Sequence, residues 1–227
     1  MRETTALIPA AGRGVRLGEP FNKVFALLGG QPVLARTLAA FECCDHVDDI
    51  VVVAAAGEEA RVEEVARAHG VSKLSRVTTG GEVRQESVRR GLESLSPAPK
   101  LVAIHDAVRP LVTQDLILRT IEGARRTGAC IAAAPLSDTV KRTTDGGFVC
   151  ATLDRSRLYA AQTPQTFDYL VILEAHRRAA EDGYAATDDA ALVERMGRQV
   201  EVARSSARNL KVTEPADLKI AEGLLRE

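Results

Sequence analysis

Glycine and positive charge crowd together near the start of the chain. In Gly12-Arg13-Gly14-Val15-Arg16-Leu17-Gly18, followed by Lys23, glycines alternate with cationic side chains directly after the apolar run Ala6 to Ile8. Glycine tolerates backbone torsions that other residues resist, and its missing side chain lets N–H groups approach an anion closely. A strand that empties into such a loop, with Arg13, Arg16 and Lys23 beside it, reads as a phosphate cradle. A surface turn carrying solvated arginines is the plainer alternative. The phosphate-loop pattern G-x-x-x-x-G-K-S/T is absent, and Gly12-Arg-Gly14-Val-Arg-Leu17 lacks the third glycine of the dinucleotide fingerprint. The loop therefore points to a class of ligand rather than to one ligand.

Asp106 is the next residue with chemistry to offer, just past the apolar run Leu101 to Ile104. A carboxylate at a strand end can hold Mg²⁺ against phosphate oxygens, or it can simply cap a turn. His105 beside it reads as structural. The four histidines, His46, His69, His105 and His176, are scattered and suggest no zinc site. Cys43, Cys44, Cys130 and Cys150 show no C-x-x-C spacing and are expected to be reduced thiols of a cytosolic protein. The net charge is −1, with Lys and Arg spread along the chain, so general nucleic-acid binding has no electrostatic support. No apolar run approaches the roughly 18 residues of a membrane span, and no signal peptide is expected.

The elements that must position these groups alternate. Ala6 to Ile8, Ile50 to Ala55, Leu74 to Thr78, Leu101 to Ile104, Ala129 to Ala134 and Val200 to Ala203 read as strands. Helices are expected at Val33 to Phe41, opened by Gln31-Pro32, at Glu58 to Ala68, Val83 to Leu95, Thr113 to about Arg126, Asp168 to about Ala180 and Ala190 to Met196. A last helix is expected to be capped by Thr213. At 227 residues and 45% apolar, the chain suits one α/β domain, a doubly wound and mostly parallel sheet spanning 1–227. In such sheets ligands lie beyond the carboxyl ends of the strands. The glycine loop, Gly80-Gly81 and Asp106 are all expected there, although they are far apart in sequence.

One stretch, 138–160, breaks the alternation. Thr139 to Thr144 and Phe148 to Leu153 flank Asp145-Gly146-Gly147, a hairpin signal. Neither arm is strongly apolar, and an isolated hairpin is marginal in water. It either projects and packs on the same arm of a second subunit, or lies on its own domain. Gln162-Thr163-Pro164-Gln165 is expected to shape a turn beneath the site, since proline fixes its backbone.

With these pieces placed, the chain resembles the cytidylyltransferases of isoprenoid-precursor synthesis that act on 2-C-methyl-D-erythritol 4-phosphate. The carriers are Pro9-Ala-Ala-Gly-Arg-Gly-Val-Arg16, Lys23, Gly80-Gly81 with Ser87, His105-Asp106-Ala-Val-Arg109-Pro110, Asp138-Thr139-Val-Lys141, Asp154-Arg155, Gln162-Thr-Pro-Gln165, Thr187-Asp188 and Lys211-Val-Thr213. The resemblance implies a nucleotide-diphospho-sugar-transferase-like fold and a homodimer joined through a projecting arm at 138–160. It also implies transfer of CMP from CTP to a sugar-alcohol phosphate, with Mg²⁺ and release of pyrophosphate. By the same resemblance Pro9, Ala10, Ala11, Gly12, Gly14, Arg16, Lys23, Gly80, Gly81, Ser87 and Asp106 bind CTP, with Asp106 on the metal. Asp106, Arg109, Thr139, Arg155, Thr187 and Lys211 bind the polyol phosphate. Arg16, Lys23, Arg155 and Lys211 are the catalytic cations, and Thr139 and Arg155 reach the neighbouring subunit's site.

The chemistry is self-consistent. A phosphate monoester is already ionised near neutral pH, its second pKa being about 6, so its attack on a phosphorus needs no general base. It needs cations that hold the triphosphate and stabilise the in-line transition state. Two departures stand beside Lys23: the family pattern has proline before the lysine and glutamine after it, where this chain has Asn22 and Val24. Asn22 is not expected to stiffen the approach to Lys23 as proline would. A ribitol-5-phosphate cytidylyltransferase and a catalytically silent nucleotide-binding module remain the alternative readings.

Overall fold

The structure is a computed structural model and describes residues 2–12 and 22–226. A seven-stranded sheet forms its centre. Strands β1 (Thr4–Pro9), β2 (Leu27–Leu28) and β3 (Gln31–Pro32) precede helix α1 (Val33–Glu42); β4 (Asp49–Ala54), α2 (Glu59–Ala68), β5 (Leu74–Thr79), α3 (Arg84–Glu93), β6 (Leu101–Ile104), α4 (Gln114–Thr127) and β7 (Ala129–Pro135) follow. The chain then runs through β8 (Lys141–Thr143), β9 (Val149–Thr152), β10 (Tyr159–Asp168), α5 (Tyr169–Glu181), α6 (Asp189–Arg195), β11 (Glu201–Arg204) and α7 (Pro215–Leu225). The main sheet has the order β11-β7-β10-β6-β1-β4-β5. All its pairings are parallel except those of β10, which runs antiparallel to both neighbours.

Strand pleat and helix periodicity together explain the double layer. Alternate strand residues face opposite sides. Ala6, Ile8, Ile50, Val52 and Ala103 pack with Leu34, Leu38 and Phe41 of α1 and Ile117 and Ile121 of α4. Their neighbours Leu7, Val51, Val53, Val102 and Ile104 pack with Val88 and Leu92 of α3 and Ile172 of α5. Both faces are therefore dry, which is why these strands read as unbroken apolar runs. Helix α4 starts on Thr113, whose hydroxyl accepts the Leu116 N–H at 3.2 Å, and stops at Gly128, whose φ of +84° suits glycine.

Two expectations are corrected. Gln162 to Gln165 is not a turn but part of β10, in the middle of the sheet, with the register against β7 shifting between Ala161 and Gln165. Proline cannot donate to a ladder, and this irregularity accommodates it. Helix α7 is capped by Glu214, not Thr213, and has Pro215 at its first position. Asp217 accepts the Thr213 hydroxyl and N–H and the Glu214 N–H, at 2.7 to 2.9 Å. Gln31-Pro32 opens α1 as expected, with Pro32 at its N-cap, and also pairs with Leu27-Leu28 as a two-stranded ribbon.

The β8–β9 hairpin stands away from the body of its own chain: every residue from 141 to 150 is exposed. Its pairing runs from Lys141 opposite Thr152 to Thr143 opposite Val149. No described helix is long and apolar enough to cross a membrane.

Candidate active site

The parallel strands β1, β4, β5 and β6 end side by side, and backbone bonds lock their exits together. Ala10 N–H donates to Val53 O at 2.8 Å, Gly80 N–H to Ala54 O at 2.8 Å, and His105 N–H to Leu7 O at 2.9 Å. Beyond these ends opens a cavity of about 640 Å³, walled by residues 9–12, Lys23, Val24, Ala55, Ala56, residues 80–84, Ser87, Arg90, Asp106, Val108 and Lys211. Of the sequence-predicted residues, Pro9, Ala10, Ala11, Gly12, Lys23, Gly80, Gly81, Ser87, Asp106 and Lys211 meet around this single hollow. Gly14 and Arg16 lie outside the described residues.

Close packing explains the second glycine pair. A Cβ on Gly80 would sit 2.6 Å from the Ala11 Cβ and 2.7 Å from the Ser87 Oγ, so only glycine lets the loops after β1 and β5 touch. Ser87 is buried at the start of α3; its Oγ accepts the Gly81 N–H at 3.0 Å and donates to Val83 O at 3.0 Å. That hydroxyl shapes the turn which presents the glycine backbone to the cavity.

Asp106 lies at the cavity's base inside a cage of cations. Its Oδ1 meets the Arg84 Nε at 3.0 Å, its Oδ2 the Lys211 Nζ at 2.8 Å, and the Arg109 Nε stands 3.8 Å from Oδ2. Burial would push this carboxyl up, but Arg84 and Lys211, and after them Arg109, hold it well below the usual carboxylate range. Asp106 is ionised throughout the physiological range. Arg84 also reaches the buried Asp189 at 2.8 Å through its second nitrogen. Burial opposes the charged guanidinium, yet Asp189 and then Asp106 raise its pKa.

A chain of hydrogen bonds fixes Asp106 from behind. The Arg109 carbonyl can only accept, so the His105 Nε2 at 3.1 Å carries the proton. Burial pulls the His105 imidazole down to about 4, leaving it neutral with Nδ1 as an acceptor. Thr163 Oγ1 then donates to Nδ1 at 3.1 Å and accepts the Asp106 N–H at 3.1 Å. Phe41 stands against the imidazole with ring centroids 5.0 Å apart. His105 is structural, as its isolation in the sequence suggests.

Lys211 is brought in from the far end of the chain. Val212 N–H donates to Val108 O at 2.8 Å, and Arg109 Nη1 to Asn209 O at 2.7 Å. Asn209 in turn donates to Gln162 Oε1 at 3.0 Å and Thr163 O at 2.8 Å. Arg109 is thus buried behind Asp106 and braces the Lys211 segment rather than lining the cavity. Thr139 and Arg155 lie on the exposed arm, and Thr187 lies exposed just before α6; none of the three lines the cavity.

Several residues here carry no sequence signal that singles them out. Arg84 is the first residue of α3, where cations are not favoured by the helix dipole, and that oddity is its only mark. Asp188 caps α6, while its neighbour Asp189 takes Arg84 and, at 3.1 Å, the Nε2 of buried His176. Asn22 is buried and bonded on both sides of its amide, so the approach to Lys23 is braced after all, contrary to expectation.

Comparison with known proteins agrees with this geometry. Close relatives include the 2-C-methyl-D-erythritol 4-phosphate cytidylyltransferases of Geotalea uraniireducens, 44% identical over 98% of this chain and 96% of that protein, and of Geobacter metallireducens, 45% identical over 98% and 97%. Among solved structures, the chain superposes on 4-diphosphocytidyl-2C-methyl-D-erythritol synthase from Anaerococcus prevotii with a TM-score of 0.89 at 30% identity, covering 100% of this chain and 97% of that one. The 2-C-methyl-D-erythritol 4-phosphate cytidylyltransferase of Thermus thermophilus gives 0.81 at 35% identity, covering 99% and 100%. The family model matches residues 4–227, a span holding every strand of the sheet and every wall of the cavity, and the chain belongs to the 2-C-methyl-D-erythritol 4-phosphate cytidylyltransferase family.

Proposed function

We propose that CTP binds in the cavity beyond β1, β4, β5 and β6, and that its CMP moiety is transferred there to 2-C-methyl-D-erythritol 4-phosphate with release of pyrophosphate. The observation that carries this assignment is the convergence of Lys23 and Lys211, from opposite ends of the chain, on one hollow with a glycine backbone and Asp106. The attacking phosphate is already an anion, and the cavity supplies what its reaction lacks in water: fixed positive charge where charge builds up. The nucleobase lies against Gly80, Gly81 and Ser87, and Pro9, Ala10, Ala11 and Gly12 lie along the triphosphate. Lys23, together with Arg16, stabilises the transition state at the α-phosphorus. Lys211 holds the attacking phosphate, with Arg109 and Arg84 keeping it and Asp106 in place.

Asp106 would also hold Mg²⁺. Among the described residues no three acidic, histidine or cysteine side chains cluster as a metal site. Mg²⁺ does not demand one, since it takes one or two carboxylates and completes its shell with phosphate oxygens and water. Each Asp106 oxygen keeps a lone pair beyond its bond to Arg84 or Lys211, so the residue fits that role. The ion would neutralise triphosphate charge; the protein's own cations do the rest.

The arm gives the proposal its second half. Phe148 and Val149 are exposed to 78% and 61% on a hairpin that touches little of its own chain, a surface suited to the same arm of a second copy. In such a homodimer Thr139 and Arg155 of one protomer approach the other's cavity, and with Thr187 they complete the polyol-phosphate site beside it. A cytoplasmic setting belongs to the same reading. The test is pyrophosphate release from CTP with each polyol phosphate in turn. Turnover with methylerythritol phosphate is expected; preference for ribitol 5-phosphate, or CTP binding with no release, overturns the reading.

A further inference from the structure

We propose that Asn22 is a positioning residue for Lys23, clamping the backbone from which the lysine enters the cavity. The inference rests on the reading that Lys23 acts on the triphosphate, and adds to it how this chain holds that lysine. Asn22 is only 5% exposed. Its Nδ2 donates to Ala10 O and to Glu58 Oε2, both at 2.8 Å, and its Oδ1 accepts the Val24 N–H at 3.3 Å. Both amide protons and the oxygen are thus engaged, and one side chain joins three places: the exit of β1, the residue that precedes α2, and the turn Lys23–Phe25. Ala10 is itself tied to β4 through Val53.

Lys23 follows immediately, and its backbone is held on the other side too. Phe25 N–H donates to Asn22 O at 3.0 Å, and Ala26 N–H to Lys23 O at 3.1 Å, with Val24 and Phe25 buried. A clamp of this kind places the lysine's Cα relative to the cavity wall before substrate arrives, and such preorganisation acts on the chemical step. The family pattern has proline at this position. The backbone of Asn22 sits at φ −64°, the value at which a proline ring fixes φ by itself, with an extended ψ of 126°. Hydrogen bonds here do what a ring does elsewhere.

Steady-state kinetics with CTP and methylerythritol phosphate test this on the full-length enzyme. Asn22→Ala should lower kcat by about tenfold to a hundredfold while KM for CTP moves little. Asn22→Pro should recover most of that loss. In a double-mutant cycle, Asn22→Ala should add little to Lys23→Ala, because its effect passes through the lysine. Should Asn22→Ala fail to fold by circular dichroism, Glu58→Ala breaks one bond only; it should lower kcat more than Glu58→Gln, which keeps an acceptor. An unchanged kcat in Asn22→Ala, or a full multiplicative loss on top of Lys23→Ala, overturns the proposal alone. So does equal kcat in the two Glu58 variants. A wild-type enzyme that releases no pyrophosphate overturns the functional reading, and the proposal with it.

Discussion

Two side chains near the cavity illustrate opposite uses of charge. Lys23 lines the cavity, and in the proposed reaction losing one preorganised donor of that kind costs about 10²–10³ in kcat. Lys23→Ala should show such a fall in steady-state assays with KM for CTP changed only a few-fold; equal losses in both would make it a simple anchor. His105 is kept neutral by burial, with its pKa near 4 against an ordinary 6.5. Below pH 6.5 the unfolded chain therefore binds a proton that the folded chain refuses. The stability contributed by this residue is complete above 6.5 and drains away as the pH falls toward 4. Between pH 7 and pH 5 the wild type should lose about 2 kcal/mol more than His105→Gln, which has nothing to titrate there. Urea unfolding at the two pH values measures it, and equal losses in the two proteins would contradict the assignment. The functional cations near the glycine loop are legible because glycine and charge together are unusual. Arg84 and Asp189 are not, because their meaning lies in each other, across the fold from α3 to α6.

At the scale of elements, the strands that face helices on both sides declare themselves, since Ile50 to Ala54 can only be apolar if both faces are covered. Strand β10 hides. Its Gln162, Thr163 and Gln165 are polar and Pro164 interrupts the ladder, yet it lies between β6 and β7. Those polar groups are satisfied by partners no local pattern can reveal: Asn209 for Gln162, His105 and Asp106 for Thr163, Asp188 for Gln165. The strand whose sequence reads as a turn is the one that aims Asp106. The arm shows the converse, because Asp145-Gly146-Gly147 marks a hairpin plainly while nothing nearby says what it touches. Its two strands pair only with each other and leave Phe148 in solvent, a state that a lone two-stranded ribbon sustains poorly. Removing residues 140–152 and closing the gap should leave the sheet folded, by circular dichroism, but monomeric and inactive. A fully active monomer in light scattering and turnover assays would refute the arm's role.

For the whole molecule, the decisive question is whether one chain makes one site. Lys23, Lys211 and Asp106 come together within a single copy, whereas Arg155 sits on the exposed segment leading out of the arm. If the arms exchange about a two-fold axis, every site joins the cavity of one protomer to Arg155 of the other. Mixing two inactive variants then has a definite outcome. In a heterodimer of Lys23→Ala and Arg155→Ala, one cavity carries both defects. The other keeps its own Lys23 and receives an intact Arg155 from the protomer whose lysine is missing. Random exchange makes half the dimers mixed, each with one sound site, so activity should return to about a quarter of wild type. Were Arg155 to serve its own chain, each cavity in the mixed dimer would carry one of the two defects and mixing would restore nothing. Unfolding and refolding the variants together, with separately refolded samples as controls, distinguishes the two arrangements in a single turnover measurement.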